Sequence, residues 1–101
     1  MQKKKTMELC KGRHEIDAAV DGAVFPNELD PLDILTMDAI ASESIGEIDE
    51  LDLYVTGLSV ALVSVINYCH DKGLKLTLFH YDRNSGMYYS QPVFINTSNC
   101  T

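Results

Sequence analysis

A chain of 101 residues, 46% hydrophobic and 23% charged, has room for one core and no second domain. Its formal charge of −7, with no interleaving of basic and aromatic residues, argues against binding to a nucleic-acid duplex. No apolar run reaches the roughly 18 residues that cross a bilayer, so no membrane association is expected.

Residues 1–5 are basic but lack a following apolar segment, which excludes a secretory signal and reads as a solvated start. Residues 6–10 alternate and predict a first strand, ending in the polar turn Lys11-Gly12-Arg13-His14. Residues 15–29 have no clear period and contain the turn signals Asp21-Gly22 and Pro26-Asn27. Within them, Ala23-Val24-Phe25 fits either a short strand or an apolar plug over a sheet. Asp30-Pro31 predicts a helix start, with Asp30 as cap and Asp33 in the first turn. Ile34, Met37, Ala41, Ile45 and Ile48 form its buried stripe, Asp38 and Glu43 lie opposite, and Gly46 ends or frays it.

A second strand is predicted over 51–55. The helix over 59–72 is apolar nearly all round, which calls for cover from the sheet and a helix, or from a second copy. Gly73 stops it. A third strand spans 74–81, a hairpin loop 82–86, and a fourth strand 87–91, with Pro92 marking an edge. Helices between strands demand right-handed crossovers and parallel neighbours. The expectation is an α/β fold: a small Rossmann-like sandwich of two or three layers, with an antiparallel C-terminal hairpin at its edge. It forms a single domain over 1–95, followed by a polar tail over 96–101.

Thirteen of the fifteen acids fall between Glu15 and Asp71, a window without Lys or Arg. One face should be strongly negative, either for solubility alone or to occupy a basic partner. Cys10 and Cys69 lie in apolar elements and should be buried thiols, whereas Cys100 is in the polar tail. An odd cysteine count without C-x-x-C fits a reducing cytoplasm. No metal-ligand spacing and no cofactor motif occurs, so no cofactor is expected.

The chemistry concentrates at Leu53-Tyr54-Val55-Thr56-Gly57-Leu58-Ser59. A strand runs into Thr-Gly-x-Ser and a helix follows, which turns the first helical N–H groups toward the strand's C-terminal end. Unpartnered N–H groups at the positive end of a helix dipole suit a phosphate or carboxylate. The other parallel strands also end in polar corners, at Arg13-His14 and at His80-Tyr81-Asp82-Arg83. Ligands collect beyond such strand ends. Arg13, His14, Thr56, Gly57, Ser59 and His80 are therefore the candidate ligand residues. Each has a plainer reading: Thr56 and Ser59 as helix caps, Gly57 as turn relief, Arg13 and His14 as partners of Glu15 or Asp17, and His80 as a satisfied strand-end histidine. Tyr81, Tyr88 and Tyr89 cluster in the final hairpin, as sheet packing, a dimer surface or a stacking platform.

Residues 53–62 resemble the strand, Thr-Gly turn and helix of CRISPR-associated Rossmann-like sensor domains and their small stand-alone relatives on mobile elements. Thr56, Gly57 and Ser59 carry the likeness. It implies a cyclic oligonucleotide at the turn, a two-fold homodimer, a bacterial cytoplasm, and in some members phosphodiester cleavage of ring-nuclease type. Here His14 or His80 would be acid or base; no catalytic residue is assigned. Three functions follow as expectations. One is a binding protein for an anionic nucleotide-like ligand. The second is a phage or mobile-element inhibitor that sets its acidic surface, with Asp30, Asp33 and Asp38, against a basic nuclease. The third is a structural subunit that buries its second helix against a partner.

Overall fold

In the computed structural model, which describes residues 3–11, 20–26 and 28–94, seven elements follow in order. They are β1 (Lys4–Cys10), β2 (Gly22–Phe25), α1 (Ile34–Ile45), β3 (Glu50–Tyr54), α2 (Ser59–Lys72), β4 (Lys75–Asp82) and β5 (Met87–Val93). The strands form one sheet in the order β2-β1-β3-β4-β5. The first four are parallel, and β5 returns antiparallel to β4. The fold is the small Rossmann-like α/β sandwich that the crossovers predict. Ala23-Val24-Phe25 is a strand rather than a plug, and it pairs with β1 through Glu8 and Cys10. Pro92 lies inside β5, opposite Thr77, where an edge strand has no need of the missing N–H.

The connections β2–α1–β3 and β3–α2–β4 step the same way across the sheet. Right-handed crossovers then place both helices on one face. Accordingly α1 packs on α2 and β2, and α2 packs on β1 and β4. The described residues thus form two layers. Alternation turns Met7, Leu9, Leu51, Leu53, Leu76 and Leu78 toward the helices, where they meet Met37, Ala41, Ile45, Ala61, Val65 and Cys69. Each large apolar side chain buried this way contributes about 1.5–3 kcal/mol. The sheet and α1 supply cover for α2 within one copy, while Val63 stays exposed.

Lys3 and Lys4 are exposed, as a solvated start expects, but β1 already begins at Lys4 and its lysines have partners. Lys4 Nζ lies 3.0 Å from Asp52 and 3.6 Å from Glu50, on the face away from the helices. Lys5 points the other way and donates to the carbonyls of Ser44 and Ile45 at the C-terminus of α1. A cation there meets both orphan carbonyls and the negative end of the helix dipole.

The start of α1 also differs from expectation. Asp30-Pro31 makes a turn rather than the helix start: the Leu32 N–H donates to Asp30 Oδ1, and the Asp33 N–H to the Asp30 carbonyl. Asp33 is the N-cap, accepting from the Thr36 N–H (3.2 Å) and the Thr36 hydroxyl (2.7 Å). The buried stripe begins at Met37, because the first turn projects past the core and leaves Ile34 exposed. The helix ends at Ile45, with Gly46 (φ +70°) donating to Ser42. Ile48 packs on the core from the loop beyond.

Candidate functional site

The C-terminal ends of the parallel strands set the site. Phe79 O accepts from the Val55 N–H at 2.9 Å, so His80 stands level with the last turn of chain before Thr56. On the other side of β3, Thr56 reaches β1. Its hydroxyl accepts from the Cys10 N–H at 3.1 Å and donates to the Cys10 carbonyl at 3.0 Å. A side chain thereby continues the ladder after the paired backbone stops at Glu8 and Tyr54. Thr56 is 1% exposed, so both of its bonds are made inside the protein. Lys11 continues this rim, its N–H donating to Phe25 O.

Gly57 follows with φ +95°, a conformation that favours glycine. Leu58 is the N-cap of α2 and makes no side-chain cap bond, and among the described residues no side chain bonds the first-turn N–H groups. Neither Thr56 nor Ser59 caps the helix: Thr56 is turned to β1, and Ser59 is already the first helical residue, exposed like Gly57. Among the described residues, then, no side-chain oxygen caps the helix where it opens onto the rim.

His80 shares the helix side of the sheet with Leu76 and Leu78 by alternation. Its Nε2–H donates to Gln91 Oε1 at 2.8 Å, and its ring lies 5.3 Å from that of Tyr89. Asp82 and Arg83 overhang the rim, since β4 runs on into the hairpin. The Asp82 carboxylate accepts from the N–H groups of Asn84 and Ser85, so it shapes the loop. Hydrogen bonds from the Ser85 hydroxyl and the Asn84 N–H hold its carboxyl below the usual value of 3.8.

Thr56, Gly57, Ser59 and His80 thus come together on one rim. Arg13 and His14 lie outside the described residues. The tyrosines do not form one hairpin cluster. Tyr88 and Tyr89 must face opposite ways in a strand, and Tyr89 joins His80. Tyr88 packs on the other face with Tyr81 (5.3 Å) and edge-on to Tyr54 (4.9 Å), which itself stacks on Phe79 at 4.9 Å. Alternation makes that split, and the β3–β4 register sets Tyr54 beside Phe79. Among the described residues no cluster of three His, Cys, Asp or Glu is suited to a metal.

Of the acids proposed for a partner, Asp30, Asp33 and Asp38 are all exposed. Asp30 and Asp33 also organise the entry to α1. Comparison with protein-family models, curated proteins and solved structures finds no match.

Proposed function

We propose that this protein captures an anionic, nucleotide-like ligand at the rim formed by the ends of β1, β3 and β4. The carrying observation is the start of α2, uncapped by any side chain among the described residues and flanked by exposed Gly57 and Ser59. Thr56 fixes the turn by latching it to β1. Gly57 permits close approach of the ligand to the backbone, the first-turn N–H groups hold a phosphate, and His80 flanks it. Arg13 and His14, which lie outside the described residues, are the further residues assigned to the anion in this reading. A cyclic oligonucleotide in a bacterial defence setting, bound across a two-fold dimer, is the form that the resemblance implies. Cleavage, if it accompanies binding, is a phosphodiester reaction with His14 or His80 moving the proton.

The test is titration calorimetry with cyclic and linear oligoribonucleotides, paired with thermal melts. The wild type should release heat and melt higher with ligand, and Arg13→Ala should lose the heat. Ser59→Glu separates binding from folding. A carboxylate there repels the ligand yet suits the helix N-terminus by about 0.3–1 kcal/mol. The variant should bind nothing and melt at or above the wild type. Absence of both heat and stabilisation with every nucleotide overturns the proposal.

A second reading, a protein that blocks a basic nuclease with its acidic surface, is favoured by a specific observation. Asp30, Asp33 and Asp38 are exposed around the start of α1, a helix without a cation.

A further inference from the structure

The acidic surface has an apolar centre. Leu32, Ile34 and Leu35 are 88%, 56% and 83% exposed, just before and within the first turn of α1. Single exposed aliphatics are ordinary, but three at one helix start form a patch, and exposed patches mark interaction sites. Exposed Asp30, Asp33 and Asp38 stand among them. Further along, Asp38 of α1 and Asp71 of α2 border a hollow of about 190 Å³ with Ser64, Asn67 and Tyr68. The patch sits on an organised platform. Asp30 holds the N–H groups of Leu32 and Asp33, and Asp33 holds Thr36. Ordering before contact reduces the entropy lost on binding.

Charge selects the occupant. A second copy would set the same carboxylates against one another, and an anionic bilayer would be repelled. A protein surface with Lys or Arg around an apolar hollow meets both features at once. We infer that the first turn of α1 is a docking knob, with Leu32, Ile34 and Leu35 entering an apolar hollow on a cationic protein while Asp30, Asp33 and Asp38 engage its basic rim. This rests on the protein-binding reading and is independent of the nucleotide rim.

The probe is a synthetic amphipathic helical peptide of leucines and lysines, titrated calorimetrically at low salt against the full chain. A leucine–glutamate version is the control. The lysine peptide should bind and the glutamate peptide should not. The double change Leu32→Ser and Leu35→Ser should weaken binding about tenfold or more, as expected of central anchors. Its melting temperature should be unchanged, since both positions are exposed. Unaltered binding by that variant overturns the knob but leaves an acidic docking surface standing. Asp30→Asn, Asp33→Asn and Asp38→Asn together retain the capping acceptors. Undiminished binding by this triple variant overturns the acidic reading itself. Wild-type dimerisation in sedimentation that the leucine variant abolishes would instead assign the patch to a second copy and overturn the inference.

Discussion

Thr56 shows how one residue can hold a site without touching a ligand. Its hydroxyl satisfies both backbone groups of Cys10, 46 positions earlier in the chain. Valine has the same shape but no hydroxyl, so Thr56→Val leaves a buried N–H and a buried carbonyl unpaired. Such orphaned groups cost about 1–3 kcal/mol each, so a loss of about 2–6 kcal/mol is expected. Thr56→Ser keeps both bonds and loses one methyl group, about 1 kcal/mol. Urea unfolding of the two variants measures the difference, and equal midpoints would remove the latch from the account. No local pattern announces this role. The Thr-Gly-x-Ser turn is visible in the sequence, but the partner of Thr56 depends on which strand lies beside β3, and that is a property of topology. The same sequence stretch made Ser59 look like a cap because serine favours that position. Leu58 takes it instead, once Thr56 is committed to β1 and Gly57 has adopted a positive φ.

The elements were legible where periodicity is long and uniform. Alternating Leu51, Leu53, Leu76 and Leu78 marks two strands, and glycines 46 and 73 mark two helix ends. Gly73 adopts the left-handed conformation, and the Leu74 N–H returns to the Cys69 carbonyl at 2.8 Å, closing α2. The short strand β2 was ambiguous because four residues give too little pattern to separate a strand from an apolar plug. At α1, Asp30-Pro31 signals a start to the local sequence, but the helix caps three residues later at Asp33. Asp33 prevails because Thr36 supplies two donors to it, whereas Asp30 is engaged in the preceding turn. Hydrogen bonds from Thr36, the hydroxyl first and the N–H second, hold the Asp33 carboxyl below its ordinary value of 3.8. A lowered native value means stability that is complete above 3.8 and is lost as pH falls through the native value. Asp33→Ala should therefore melt below the wild type at neutral pH, with the gap closing as the solution is taken below 3.8. A gap constant into strong acid would show that the cap acts through something other than its charge.

At the scale of the whole molecule, two buried thiols report whether the sandwich opens as one body. Cys10 ends β1 at the rim beside Thr56, and Cys69 lies in the last turn of α2, at the opposite end of the sheet. Both are fully buried. Burial pushes the Cys69 thiol up to about 12, so the native protein holds almost no Cys69 thiolate at mildly alkaline pH of about 8. Alkylation must then pass through an opening of the structure. The sheet argues for a single opening: β1 is bound to β2 and β3 by ladders and to Thr56 by its end, and β3 pairs with β4. In a Cys100→Ser background, Cys10 and Cys69 should be modified with the same opening free energy, equal to that from urea unfolding. Thr56→Val should lower both by the same amount. Faster modification of Cys10 than of Cys69 would mean that the β1–β2 edge separates on its own. The rim would then be assembled only part of the time, and ligand affinity would fall by the fraction of molecules in which it is open.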